Sequence, residues 1–185
     1  MIDENPWIIR AEKKIYENPW IILTEYDVIN PGGGKGIYGK VHFRNLAVGI
    51  LVLDEEQNTW LVGQYRFSTD MYSWEIPEGG CPEGTDPLES AQRELKEETG
   101  LAAENWQPIL KMQLSNSVCD EMAIVYLATG LSQHDAEPEE TEQLQVKKLP
   151  FEEACKMVEE GMITDAISVA AILKIKLLLA EGKRK

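Results

Sequence analysis

The stretch that most constrains this chain is a glycine-rich turn followed by a short acidic helix, residues 79–101, GGCPEGTDPLESAQRELKEETGL. Asp86 is a good N-cap, Pro87 suits the first helical position, and Gly100 suits a left-handed position at the C-terminus. The sequence therefore predicts a helix from residue 87 to residue 99. Apolar residues recur in it at spacings of three and four, which predicts one buried face made of Leu88, Ala91 and Leu95.

Three glutamates project from another face of this helix: Glu94, Glu97 and Glu98. Carboxylates four residues apart repel each other, which costs an isolated helix roughly 0.2–0.5 kcal/mol per pair. A divalent cation converts that repulsion into a binding site, and hard oxygen ligands suit Mg²⁺ or Mn²⁺ bridging to phosphates. A solvated acidic face is the ordinary alternative. The two caps and the glycine-rich entry favour the metal site.

The same segment resembles the Nudix box, G-x5-E-x7-R-E-U-x-E-E-x-G-U, in which U is a bulky aliphatic residue. One position departs from the motif, because its early glutamate is Thr85 here. Glu89 lies four residues before Arg93 and is placed to take over the pairing with that arginine. The matching positions are Gly79, Arg93, Glu94, Leu95, Glu97, Glu98, Gly100 and Leu101.

This resemblance implies an α/β fold, the Nudix α/β/α sandwich with a mixed β-sheet, and metal-dependent hydrolysis of a diphosphate linkage. In the family, the carbonyl of the residue before the first glycine binds metal, which here is Glu78. Two or three Mg²⁺ ions, or Mn²⁺, are therefore expected at the Glu78 carbonyl and the helix glutamates. Arg93 and Glu98 are assigned to the catalytic set.

The resemblance also implies a glutamate on the loop before the last strand, acting as the base or as a further metal ligand. Residues 134–142 are strongly acidic and contain Pro138, which predicts a loop. We assign Glu140 as the base and Glu142 as the ligand; the two roles are exchangeable, and Glu139 is the fallback. A solvated charge run is the alternative for this segment.

The sequence before the box, Trp-Glu-Ile-Pro-Glu-Gly-Gly at 74–80, most resembles the branch that cleaves ADP-ribose and nucleoside diphosphate sugars. In that branch an arginine after Gln-Tyr approaches the substrate phosphate, which makes Arg66 the first candidate and Arg44 the second. Glu75 is either a structural strand carboxylate or a substrate contact. Three alternatives stay open: a nucleoside triphosphate hydrolase, a dinucleoside polyphosphate hydrolase and a non-catalytic ligand sensor.

Residues 1–45 are expected to form an N-terminal β-hairpin extension, and residues 46–185 the hydrolase domain. Glu-Asn-Pro-Trp-Ile-Ile occurs at 4–9 and again at 17–22, which predicts two similar entries from a turn into a strand. In related sugar-nucleotide hydrolases these strands form part of a homodimer interface, and an aromatic there stacks on the base. Trp20 is the candidate for stacking. Core or dimer packing is the expected role of Trp7.

The remaining elements follow from hydrophobic patterning and turn residues. They are a hairpin of 20–29 with 37–43, a buried central strand at 46–54, strands at 59–67, 106–114, 122–128 and 144–147, and helices at about 149–160 and 165–181. The loop at 115–121 contains Asp120 and Glu121, for which a role at the site and simple solvation are equal alternatives.

Composition excludes some function classes. A net charge of −14 argues against a protein that binds nucleic acid through a broad basic surface, but not against a small nucleotide neutralised by metal. We find no signal peptide and no apolar run of membrane-spanning length, so no membrane partner is expected. Three cysteines without a disulfide or zinc spacing predict reduced thiols in a cytoplasmic protein.

Overall fold

The computed structural model describes residues 4–134 and 144–182. The elements in chain order are β1 (Ile8–Glu17), β2 (Ile21–Ile29), β3 (Lys35–Phe43), β4 (Asn45–Val52), β5 (Asn58–Arg66), β6 (Met71–Glu75), β7 (Glu78–Pro82), α1 (Pro87–Thr99), β8 (Leu101–Gln113), β9 (Met122–Gln133), β10 (Gln145–Pro150), α2 (Phe151–Glu159) and α3 (Ala166–Ala180). They belong to two compact units. The first unit is Met1–Asn45 with Gln113–Glu121, and the second unit is Leu46–Met112 with Met122–Lys185.

In the first unit, β1, β2 and β3 form an antiparallel sheet in that order. The repeated Asn-Pro-Trp motif forms two similar turns, as predicted. The Asn5 side chain accepts a hydrogen bond from the Trp7 amide at 3.1 Å, and the Asn18 side chain accepts one from the Trp20 amide at 2.9 Å. Strands β2 and β3 pair from Ile21 opposite Phe43 onward, which confirms the predicted hairpin.

The loop at 115–121 is attached to β3 by side chains of the first unit. Asp120 accepts a hydrogen bond from the Phe43 amide at 3.2 Å and lies 3.0 Å from His42 Nδ1 and 3.2 Å from Lys40 Nζ. Burial raises the pKa of Asp120, but the hydrogen bonds from His42 and Phe43 and the Lys40 ammonium outweigh it and lower the pKa overall. Asp120 therefore has a structural role in holding this loop, where sequence left two alternatives open.

The second unit contains a four-stranded sheet, β7-β4-β9-β8, and a three-stranded sheet, β10-β5-β6. Strands β4 and β9 are parallel, whereas β5 pairs antiparallel with both β6 and β10. The predicted α/β class with mixed strand directions is confirmed. Strands β8 and β9 are longer than predicted, and helices α2 and α3 lie where the sequence placed them.

The core of the second unit lies on both faces of β4, because alternate residues of a strand point to opposite faces. On one face, Val48 and Ile50 pack with Ala91 and Leu95 of α1, all fully buried. On the other face, a Cβ at Gly49 would lie 2.6 Å from Ile167 Cγ2 of α3. Glycine at this position therefore permits the close approach of α3 to the strand.

Helix α1 has both predicted caps. The Asp86 side chain accepts a hydrogen bond from the Leu88 amide at 2.9 Å, and Gly100 has a φ of 70°. All three cysteines are free thiols in the structure, and Cys81 and Cys155 are buried. Among the helices in the described ranges, none is long and apolar enough to cross a membrane.

Candidate active site

The glycine-rich turn and α1 meet in a contact between Gly79 and Glu94. A Cβ at residue 79 would lie 2.1 Å from Glu94 Cδ and 2.3 Å from its Oε1, well inside van der Waals contact. Only glycine allows the carboxylate of Glu94 to lie over the backbone of β7. The first glycine of the motif is therefore explained by a side chain fifteen positions later in the chain.

Arg93 orients two of the helix glutamates. Its Nη1 donates to Glu97 at 2.6 Å, and its Nη2 donates to Glu94 at 2.7 Å and to the Gly80 carbonyl at 3.1 Å. Burial lowers the pKa of Arg93, but the charges of Glu94 and Glu97 outweigh it and raise the pKa overall. The expected pairing of Arg93 with Glu89 is wrong, because the guanidinium turns toward β7 and toward the other two glutamates.

Glu98, the third glutamate of α1, is buried, with 2% of the residue exposed. Its Oε2 accepts a hydrogen bond from the Glu78 amide at 3.1 Å. This contact joins α1 directly to the residue whose carbonyl the sequence assigned to metal. The next residue, Gly79, lies under the Glu94 carboxylate, so two glutamates of the motif approach the backbone at residues 78–79.

Arg66, at the end of β5, is engaged by two carboxylates. Its Nε lies 2.9 Å and 3.0 Å from the two oxygens of Glu75, its Nη2 also donates to Glu75, and Nη2 donates to Glu78 at 2.8 Å. The Glu75 side chain is 3% exposed and the Arg66 side chain 36%, so the carboxylate end of this ion pair is buried. Burial lowers the pKa of Arg66, but Glu75 and Glu78 outweigh it and raise the pKa overall. Glu75 therefore pairs with Arg66 across neighbouring strands, and its role as a substrate contact stays a prediction.

A second acidic group lies beside this arginine. One carboxylate oxygen from each of Glu75, Glu78 and Asp165 lies within 4.8 Å of the others, and no further group of this kind occurs among residues 4–134 and 144–182. Burial raises the pKa of Glu78 well above its usual value, and the charges of Asp165 and Glu75 add to the increase. Glu78 Oε2 is buried and accepts no hydrogen bond from the described part of the chain.

These residues line a cleft of about 390 Å³ in the second unit. Besides Arg66, Glu75, Glu78 and Asp165, the cleft is bordered by hydroxyl-bearing residues that include Ser68 and Thr69. The oxygen donors, and the buried Glu78 oxygen without a described partner, fit a hard divalent cation such as Mg²⁺. The cleft therefore places three carboxylates beside the Arg66 guanidinium, which already pairs with two of them.

Comparison with known proteins identifies the family. A family model described as the NUDIX domain matches residues 43–169, which is more than half of the chain. The chain belongs to the Nudix family. It is 36% identical over 158 residues to an ADP-ribose pyrophosphatase from Mycobacterium tuberculosis, covering 83% of this chain and 75% of that protein. It is 32% identical over 169 residues to an ADP-ribose pyrophosphatase from Bacillus subtilis, covering 90% of this chain and 91% of that protein.

A crystal structure of an ADP compounds hydrolase has the same fold, with a TM-score of 0.80 and 20% identity over 96% of this chain and 97% of that one. The predicted Nudix fold is thereby confirmed. The family match and the two pyrophosphatase relatives also confirm the prediction of a Nudix pyrophosphatase, a hydrolase.

Within this Nudix protein, the second unit brings together most of the predicted site residues. Glu94, Glu97, Glu98 and Arg93 share α1, and the hydrogen bond from the Glu78 amide links them to the Arg66–Glu75 pair. Their roles as metal ligands and substrate contacts stay predictions. Glu139, Glu140 and Glu142 lie outside the described residues.

Two predicted substrate residues belong to the first unit. Trp20 is 66% exposed, and its carbonyl accepts a hydrogen bond from the Arg44 amide at 3.0 Å. The Arg44 side chain forms an ion pair with Glu17. Trp7 packs edge-to-face on Tyr38, with ring centroids 5.4 Å apart. The stacking role of Trp20 and the phosphate role of Arg44 stay predictions.

Sequence reasoning missed Asp165 and the side chain of Glu78. Asp165 reads as an ordinary N-cap, and it does cap α3 by accepting a hydrogen bond from the Ser168 amide at 2.7 Å. Nothing in the local pattern connects it with Glu75, which is ninety residues earlier in the chain. Glu78 was considered for its carbonyl alone. The one signal available was that this residue carries a carboxylate where the family form has a small residue.

Proposed function

We propose that this Nudix hydrolase cleaves the diphosphate bond of ADP-ribose or of nucleoside diphosphate sugars, in a Mg²⁺-dependent reaction that gives a nucleoside monophosphate and a sugar phosphate. The single observation that carries the proposal is the hydrogen bond between Glu98 and the Glu78 amide. It joins the glutamates of the Nudix box to the Glu75–Glu78–Asp165 cleft. The two ADP-ribose pyrophosphatase relatives support this substrate class.

In this proposal, Glu94, Glu97, Glu98 and the Glu78 carbonyl hold the metal ions, as is general among Nudix hydrolases. Bound Mg²⁺ neutralises phosphate charge and lowers the pKa of a water molecule. Neighbouring residues of the chain hold these glutamate ligands in place. Gly79 leaves room for the Glu94 carboxylate, and Arg93 holds Glu94 and Glu97 in fixed orientations.

Arg66 is the proposed phosphate contact. Its described hydrogen bonds use Nε and Nη2, which leaves Nη1 for a phosphate oxygen of a substrate in the cleft. Glu75 and Glu78 hold the guanidinium in one orientation, so little conformational freedom is lost when the substrate binds. A glutamate of the 139–142 segment is the proposed base, provided that it reaches hydrogen-bond distance of the attacking water.

Further parts of the proposal concern assembly and compartment. We propose a homodimer formed through the strands of the first unit, whose apolar residues Ile8, Ile9, Ile15 and Ile37 are exposed in the single chain. Burial of such residues at a contact between copies is favourable. A cytoplasmic location agrees with three free cysteines.

The test is a substrate panel with Mg²⁺, in which the products are identified by mass spectrometry. The panel contains ADP-ribose, GDP-mannose, ADP-glucose, UDP-glucose, diadenosine polyphosphates and nucleoside triphosphates. We expect turnover of the diphosphate compounds to a nucleoside monophosphate and a sugar phosphate, and loss of turnover with EDTA that Mg²⁺ restores. Hydrolysis in ¹⁸O-labelled water then shows which phosphorus atom is attacked, because only that product gains the label.

Preference for nucleoside triphosphates or dinucleoside polyphosphates would contradict the proposed substrate class. Binding of ADP-ribose without turnover of any compound would indicate a ligand sensor. Sedimentation velocity measures the oligomeric state separately, and a monomer at micromolar concentration would contradict the proposed dimer.

A further inference from the structure

Three consecutive residues, the two that connect β6 to β7 and the first residue of β7, are each attached to a different element. The Ile76 amide donates to Ser168 Oγ of α3 at 2.9 Å. The Pro77 carbonyl accepts a hydrogen bond from the Ile50 amide of β4 at 2.8 Å, and the Glu78 amide donates to Glu98 of α1 at 3.1 Å. This segment, residues 76–78, ends at the carbonyl that the proposed function assigns to metal, and all three attachments lie in the second unit.

Ser168 is suited to this attachment. It is fully buried, with 0% of the residue exposed, in the first turn of α3. Its own amide donates to the Asp165 side chain at 2.7 Å, which caps the first turn of α3 and holds the backbone that carries the hydroxyl. A buried backbone N–H needs an acceptor, and the Ser168 hydroxyl is the one that the structure gives to Ile76.

The residue that caps Ser168 also belongs to the acidic cleft. Asp165, which caps the Ser168 amide, contributes a carboxylate oxygen to the group within 4.8 Å that includes Glu75 and Glu78. Glu75 and Glu78 flank the anchored peptides of Ile76 and Pro77. The first turn of α3 therefore makes two contacts here. Ser168 accepts a hydrogen bond from the backbone of residues 76–78, and the Asp165 carboxylate lies close to those of Glu75 and Glu78.

We propose that Ser168 is a positioning residue of the metal centre, acting through the Ile76 amide to fix the Glu78 carbonyl. The inference rests on the proposed function for its catalytic consequence. Groups that orient metal ligands from outside the coordination sphere matter to metal affinity, and their loss costs roughly 10–100-fold. Neither the Nudix box nor the residues that the sequence assigned to the site include Ser168.

A matched control is available in α1. Ser90 is also buried, at 2% exposed, and its hydroxyl makes no hydrogen bond in the described part of the protein. Ser90→Ala removes the same atom as Ser168→Ala, from a buried helical serine with no assigned role at the site. Ser168→Thr keeps the hydroxyl and tests whether the acceptor itself is required.

The experiment compares wild type, Ser168→Ala, Ser168→Thr and Ser90→Ala at a temperature where circular dichroism shows each to be folded. Mn²⁺ binding without substrate is measured by electron paramagnetic resonance. Amide hydrogen exchange at Ile76 and Glu78 is measured by NMR, since Pro77 has no amide hydrogen, and kcat and KM are measured with ADP-ribose. For Ser168→Ala we expect about tenfold weaker Mn²⁺ binding, a lower kcat with KM little changed, and faster exchange at both Ile76 and Glu78. Ser90→Ala should match wild type, and Ser168→Thr should recover most of the binding.

Hydrogen exchange of the Glu78 amide is the decisive measurement. This amide bonds to Glu98 and not to Ser168, so its exchange becomes faster in Ser168→Ala only if residues 76–78 loosen together. Wild-type exchange at Glu78 together with wild-type Mn²⁺ affinity in folded Ser168→Ala would overturn the inference. A wild-type protein that hydrolyses none of the panel would instead contradict the proposed function. In that case the exchange at Glu78 still decides whether Ser168 holds the segment.

Discussion

The carboxylate of Glu94 occupies the space that a side chain at residue 79 would need, since a Cβ there would lie 2.1 Å from Glu94 Cδ. The contact links the first residue of the Nudix box to a glutamate of its helix. Because the neighbouring atoms belong to a carboxylate that Arg93 also holds, the carboxylate has little freedom to move aside.

Gly79→Ala should therefore displace Glu94 and reduce metal-dependent hydrolysis by roughly 10–100-fold. Steady-state kinetics over a range of Mg²⁺ concentrations measures the effect, which should include a higher Mg²⁺ requirement. Gly39→Ala is the control, because a Cβ at Gly39 in β3 meets no atom within 4 Å. Equal activity of the two variants would contradict this role of the contact.

Glu98→Gln tests the metal assignment directly. The glutamine oxygen can still accept the Glu78 hydrogen bond, so the fold should persist, whereas the charge needed for a cation is lost. We expect a loss of hydrolysis of about 100-fold or more, since changes outside the coordination sphere already cost roughly 10–100-fold. Glu89→Gln, an exposed position of the same helix, should stay near wild type. Near-wild-type hydrolysis by Glu98→Gln with Mg²⁺ would mean that the metal assignment is wrong.

Arg66→Ala should lower the free energy of unfolding by about 3 kcal/mol, the low end of the cost of breaking a buried pair, because the Glu75 carboxylate is left buried without its cation whereas the guanidinium is 36% exposed. Urea unfolding measures this change. Adding Glu75→Gln removes the stranded charge, so the double variant should be more stable than Arg66→Ala alone. An Arg66→Ala variant that loses less than about 1 kcal/mol would show that the buried pair is not what holds β5 and β6 together here.

Asp54 gives a pH dependence of stability. Burial raises its pKa, but Lys148 and Asn58 outweigh that effect and lower it from 3.8 to about 2. A carboxyl whose pKa is lower in the folded state stabilises the fold above the unfolded pKa, and this contribution is lost as the pH falls through about 4 toward 2. Discounted for partial exposure, it amounts to about 1 kcal/mol.

Asp54→Asn should thus destabilise the protein at pH 7, and the difference from wild type should narrow by about half at pH 3. Asparagine keeps the oxygen that accepts from the Asn58 amide but places an NH2 group where the second oxygen faces Asn58 Nδ2 and Lys148, so the part of the difference that changes with pH is what reports the charge. The free energy of unfolding by urea is measured for both proteins across this range. A difference that stays constant with pH would contradict the lowered pKa.

The sequence by itself determined the elements whose signals are local. Asp86, Pro87 and Gly100 set the bounds of α1 because capping depends on residues within one turn of the helix end. The buried β4 and the β2–β3 hairpin follow from apolar runs and turn residues. The Nudix box could be read in the same way, since its residues lie in one continuous stretch and the helix period places its glutamates together.

Tertiary structure alone decided which distant residues meet at the site. Arg66 reaches Glu75 and Glu78 because β5 and β6 pair, and Asp165 and Ser168 arrive there because α3 packs closely over Gly49. The choice of Glu94 and Glu97 over Glu89 as partners of Arg93 depends on which way the guanidinium turns toward β7. Local propensity carries no information about such contacts, because their geometry is set by strand pairing and helix packing between segments far apart in the chain.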